Sequence, residues 1–170
     1  MHLPERRPPS ARRDDGFTYI GMLFAVILIG LALSAVGTLW SAAVRRDREA
    51  ALLWTGAQYQ RAIQSYVTRG PGGLRQFPQA LEELLEDRRG PVTLRHLRRL
   101  YGDPVTGATD WTVVRLADGS ISGVRSAALG KPLKQAGFPA EQAAFAGAQC
   151  YCDWAFVYVP SRPQGSATAP

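Results

Sequence analysis

The sequence predicts an α+β protein in which one long N-terminal helix, apolar in its first part and amphipathic in its second, packs on a small antiparallel sheet. Three observations predict it. Phe17 to Val44 carries no charged residue over 28 positions. Leu52, Tyr59, Ile63, Tyr66 and Val67 then recur at helical spacing, so that one stripe of the same helix can face a core. Far downstream, WTVVRL, ISGVRS and WAFVYV are rich in β-branched and aromatic residues, which suit a pleated, half-buried surface. Once the helix has taken its share of the 170 residues, roughly 100 remain, enough for one modest head domain.

The leader, residues 1–16, reads MHLPERRPPSARRDDG. Its prolines and charges leave it no apolar face, which predicts disorder. The apolar run, 17–44, exceeds both the ~20 residues that cross a bilayer and the ~7–15 of a secretory signal core. No small-residue cleavage site follows it, so it reads as a retained membrane helix. Arg6, Arg7, Arg12 and Arg13 precede the run and place the N-terminus in the cytoplasm. Arg45, Arg46 and Arg48 oppose that bias, diluted by Asp47 and Glu49, and suit anionic lipid headgroups. Residues 45–69 continue the helix with one apolar stripe and polar Gln58, Gln60, Arg61 and Gln64 elsewhere. Gly70, Pro71, Gly72 and Gly73 stop it.

The head, 70–160, opens with two leucine patterns. Phe77 to Arg88 places Pro78 near a helix start and Leu81, Leu84 and Leu85 on one face; Thr93 to Tyr101 repeats this with Leu94, Leu97, Leu100 and Tyr101. Two short amphipathic helices are expected. Trp111 to Leu116 and Ile121 to Ser126 flank Asp118-Gly119 as a β-hairpin, and Trp154 to Val159 supplies a third strand. The tail, 161–170, reads as disordered.

Chemistry-bearing residues are sparse. The chain carries 20 basic and 14 acidic residues, net +6, with no nucleic-acid motif or aromatic-interleaved platform beside the charge, so a solvated basic surface is expected and nucleic acid is not. Beyond the leader the one histidine is His96, among arginines, with no HExxH or Cys/His spacing around it. No catalytic constellation emerges and an enzyme is not expected. Glu82, Glu83, Glu86 and Asp87 read as a solvated helix face pairing with Arg88 and Arg89. Cys150 and Cys152, the only cysteines, could form an internal bridge if a turn relieves its strain, remain thiols, or bridge subunits. Zinc on this pair lacks two ligands.

A short basic leader ending in Gly16, followed by Phe17, Thr18 and a long apolar helix, GFTYIGMLFAVILIG, resembles the signal of type IV prepilins and type II secretion pseudopilins. The resemblance implies a lollipop-shaped subunit, cut between Gly16 and Phe17 by a prepilin peptidase and methylated at the new Phe17 amine. It would be anchored once in the inner membrane with its head in the periplasm, until an inner-membrane assembly platform draws it into a filament of other pilin or pseudopilin subunits. The family usually carries Glu as the fifth mature residue, where a carboxylate neutralises a neighbour's terminal amine. Here that position is Gly21, which points to a minor or tip-proximal subunit. Gly21, Gly30 and Gly37 also permit close helix contact. DPVTGATDW and DGSISGV are similar to pseudopilin head segments, and major pseudopilins carry a calcium loop, so Asp103 and Asp110 are either oxygen ligands for calcium or turn and cap residues. The implied function is a structural subunit of a secretion or pilus-like filament; a signal-anchored periplasmic binding module that is never processed is the alternative.

Overall fold

The computed structural model describes residues 15–73, 75–109 and 111–160, apart from the side chains of 15–17, 35, 36, 38 and 39. The disorder expected of the tail and of leader residues 1–14 falls outside the described residues, whereas Asp15 and Gly16, expected to be disordered with the leader, already belong to a helix. Helix α1, Asp15–Thr68, is the longest element by far. Among the described residues three strands follow, β1 (Thr112–Arg115), β2 (Ile121–Arg125) and β3 (Ala155–Val157), with short 3₁₀ turns at Pro71–Gly73 and Leu81–Leu84 before β1 and at Ala140–Phe145 and Tyr151–Asp153 between β2 and β3. Mixed helix and three-stranded antiparallel sheet is the α+β class expected. The chain divides into two compact units between Val44 and Arg45, and α1 contributes to both.

In the second unit α1 supplies one wall of the core. Leu52, Tyr59, Ile63, Tyr66 and Val67 are all buried, at 3% exposure or less, because their spacing brings them to one side of a 3.6-residue turn. The helix ends as the glycines require: Arg69 N–H still donates to Ser65, but Gly72 and Gly73 take φ of 66° and 74°, which is easy only without a Cβ.

The sheet runs β1-β2-β3, both pairs antiparallel. Val113 faces Val124, Val124 faces Phe156, and the register slips between Val114 and Arg115. At the hairpin, Gly119 has φ of 84°, and the Asp118 carboxylate accepts hydrogen bonds from Ser120 N–H (3.0 Å) and Oγ (2.6 Å), an Asx-type turn. Two tight approaches seat the layers. A Cβ at Gly56 would lie 2.3 Å from the Phe156 ring, and one at Gly123 2.3 Å from the Phe156 carbonyl oxygen. Phe145 stacks on Trp154 at 5.7 Å and meets Phe156 edge-on at 5.0 Å, and Tyr59 and Trp111 join helix to sheet at 5.5 Å.

The two amphipathic helices expected at 77–88 and 93–101 do not form. Only Leu81–Leu84 turns, as one 3₁₀ element. The reason lies in where the backbone groups go: Leu84 C=O accepts from both His96 and Leu97 N–H at 2.9 Å, and Asp87 and Leu94 exchange bonds of 2.8 and 3.0 Å. The two segments pair across the Gly90-Pro91 break, and Leu84 and Leu97 are buried there.

Candidate functional site

The described part of the first unit is helix α1 up to Val44. Every described residue from Thr18 to Ser34 is exposed, among them Tyr19, Met22, Phe24, Ile27 and Leu31. Gly21, Gly30 and Gly37 have nothing within 4 Å of the place a Cβ would take. The helix starts at Asp15, so the backbone at Gly16 and Phe17 belongs to it, while the Phe17 side chain lies outside the described residues. Among the described residues no helix is long and apolar enough to cross a membrane; the segment expected to do so, 17–44, includes five positions whose side chains are not described.

The second unit concentrates its charge chemistry at the end of α1. Arg89 forks onto Asp87 with Nε on Oδ1 (2.8 Å) and a terminal nitrogen on Oδ2 (2.7 Å), and that same nitrogen donates to the Tyr66 carbonyl at 2.8 Å. Its guanidinium lies 3.4 Å over the Tyr66 ring, and its other terminal nitrogen is buried without a hydrogen-bond partner among the described residues. The bond from Arg89 holds the Asp87 carboxyl far below the usual carboxylate range. Burial, then the bond to Glu83, raises the Tyr66 phenol. Asp87 is therefore a buried ion-pair partner, 3% exposed, and the solvated face expected of it is corrected. Glu86 pairs at the surface, with Arg88 at 2.6 Å and Arg95 at 4.0 Å.

His96 lies buried between Ser65 Oγ on Nδ1 (2.8 Å) and Asp87 Oδ2 on Nε2 (3.2 Å). A hydroxyl, an imidazole and a carboxylate in line are the parts of a nucleophile relay. Ser65 lies inside α1, the last residues of which are hydrogen-bonded along the helix. Arg89 pins the carboxylate besides. The arrangement locks the helix end to the 87–96 loop. Nothing in the sequence spacing signals it, since the three residues are scattered over 31 positions.

At the other end of this stretch, Glu49 is 4% exposed. Its carboxylate accepts the N–H groups of Leu133 and Lys134, while Arg45 donates to the Lys131 carbonyl at 2.8 Å. Arg45 was expected at lipid headgroups, and Glu49 as an acidic neighbour diluting the basic cluster. Tyr151 joins them: burial, then the neighbouring Glu49, raises its phenol. Cys150 and Cys152 are joined as a disulfide, Cα to Cα 5.1 Å, in the turn Tyr151–Asp153. That turn supplies the relief an extended strand lacks. Their sulfurs and an Asp153 oxygen lie within 4.8 Å of one another, but bridged sulfurs are not thiolate ligands, and Asp153 already accepts the N–H groups of Gln149 and Cys150.

Asp103, expected as a calcium ligand or a turn residue, is 1% exposed. Its Oδ1 accepts Val105 N–H at 2.8 Å and its Oδ2 the Ser126 hydroxyl at 2.6 Å, so it ties a turn to the end of β2. Asp110, its expected co-ligand, lies outside the described residues.

Compared with protein-family models, curated proteins and solved structures, the chain finds no match.

Proposed function

We propose that the chain is a pilin-like structural subunit: cut between Gly16 and Phe17, held once in the inner membrane with the head in the periplasm, and drawn from there into a type II secretion or type IV pilus-like filament. The observation that carries the reading is the all-round apolar exposure of the helix after Gly16. Tyr19 and Trp40, 65% and 72% exposed, bracket that surface. At 1.5 Å per residue they stand about 30 Å apart, the thickness of a bilayer core, with aromatic rings at the two interfaces. Packing such a helix among its neighbours replaces lipid contacts by similar ones, so release into a filament has little hydrophobic cost. The open flanks of Gly21, Gly30 and Gly37 leave room for close neighbours. With no carboxylate at Gly21, the subunit takes a minor or terminal place.

The test is the N-terminus. Co-expression with a prepilin peptidase should remove the first sixteen residues and methylate Phe17, read by mass spectrometry of membrane-extracted protein, and Gly16→Val should block the cut. An intact Met1 terminus under those conditions leaves an anchored, unprocessed module and removes the filament reading.

A further inference from the structure

The segment 93–101 has a side that the filament reading does not use. Leu97 and the His96 side chain are buried, and with these two anchored inward the chain turns Arg95, Arg98 and Arg99 out to solvent. Among the described residues Arg98 and Arg99 make no ion pair. Tyr101 beside them is held rigidly: its carbonyl accepts from Tyr59 Oη (2.9 Å) and Trp111 Nε1 (2.8 Å). Its ring meets Trp54 edge-on at 5.4 Å and carries the Arg99 guanidinium at 5.1 Å. Trp54 is 53% exposed and Leu100 40%. Leu100 also walls a cavity of about 290 Å³ together with Leu81, Trp111 and Val113.

We propose that this face receives an acidic segment of a partner protein, its carboxylates on Arg98 and Arg99 and one apolar side chain in the cavity beside Leu100. Three properties select that occupant. Guanidinium forks match carboxylates in pairs. Trp, Tyr and Arg placed together are the residue types that dominate protein interfaces, and here exposed Trp54 rests on half-buried Tyr101 in an already ordered pair, so little entropy is lost on docking. Glu82 lines the same cavity and Glu86 stands 4.0 Å from Arg95; these carboxylates repel a continuous phosphate backbone, whereas a peptide can set neutral residues against them.

The experiment uses the full chain in detergent and a fluorescein-labelled dodecapeptide repeating Glu-Glu-Leu, followed by fluorescence polarisation. The peptide should bind saturably. The Arg98→Ser, Arg99→Ser double variant and Trp54→Ala should each weaken it about tenfold or more, and a Glu-Glu-Ser repeat should bind about tenfold less well. Leu100→Glu should abolish binding by placing a carboxylate at the cavity mouth, and circular dichroism checks that each variant keeps its fold. Equal binding by wild type and the arginine variant overturns the proposal. So does a Glu-Glu-Ser repeat that binds as well as the leucine one, or an oligothymidylate of the same length that binds more tightly than either peptide.

Discussion

Gly56 of α1 and Phe156 of β3 touch without an intervening side chain: a Cβ on Gly56 would stand 2.3 Å from the Phe156 ring. The ring is 1% exposed and hemmed by Phe145 and Trp111, so it has nowhere to move. Gly56→Ala improves helix propensity by about 1 kcal/mol, yet the overlap should outweigh that and leave a net loss of roughly 2 kcal/mol. Denaturant unfolding measures it, with Gly21→Ala, which meets nothing within 4 Å, as the control that leaves the head's stability unchanged.

Asp87 sets the acid limit of the head. Its folded carboxyl titrates below its ordinary value because Arg89 donates to it, so its contribution is fully present above the unfolded value near 4 and declines as pH falls through that range toward the depressed folded one. Asp87→Asn should cost roughly 3 kcal/mol at neutral pH by leaving the half-buried Arg89 without its counter-charge. It should also flatten the acid limb of the stability profile; a limb as steep as the parent's would assign acid unfolding elsewhere.

Glu49 holds a distant loop through two backbone amides. Glu49→Ala should strand the N–H groups of Leu133 and Lys134 and cost about 1–3 kcal/mol. Hydrogen exchange at those two amides should accelerate far more than at Val124 in β2, which reports global opening.

The Cys150–Cys152 bridge closes a very short loop. Alkylation before reduction should label neither cysteine and after reduction both. Because the loop-closure contribution is small at this length, replacing both by Ser should shift stability by only about 1.5 kcal/mol. A disulfide-linked dimer on non-reducing gels would show the bridge between subunits instead.

Gly21 should keep the protein from polymerising alone. A charge-assisted pair between a terminal amine and a neighbour's carboxylate contributes ~1.5–3 kcal/mol, forgone once by an end subunit and at every step by a homopolymer. Expressed by itself the protein should stay in small membrane complexes, and Gly21→Glu should increase its entry into mixed filaments, scored by co-purification with sheared filaments. Long filaments of the parent protein alone would remove the minor-subunit assignment.

The parts legible in the sequence are those written locally. The packed stripe of α1, its stop at the glycines after Thr68 and the hairpin at Asp118-Gly119 each depend on neighbours a few positions apart, and each is where the pattern puts it. The stretch 77–101 failed because its leucines share one periodicity with a helix while the Leu84 carbonyl is satisfied by His96 and Leu97 N–H, a choice made by tertiary pairing. The buried role of Glu49 was illegible for a related reason: its partners lie more than eighty residues downstream. Of the candidate site, Gly16, Phe17 and Gly21 could be named from the chain alone because the proposed processing signal is a linear pattern of neighbouring residues. Arg98, Arg99 and Trp54 could not be grouped, since only folding brings residue 54 beside Tyr101.

The burial along α1 fixes where the protein can be cut. Of the buried apolar residues described, Leu52, Tyr59, Ala62, Ile63, Tyr66 and Val67 come from the helix, although the strands and turns all lie beyond Gly70. A recombinant head that starts at the glycine stop would be missing one wall of its interior and should aggregate. One that starts at Arg45 keeps that wall and the Arg45 and Glu49 anchors while shedding the exposed apolar surface, and is the version suited to crystallisation and to solution binding measurements.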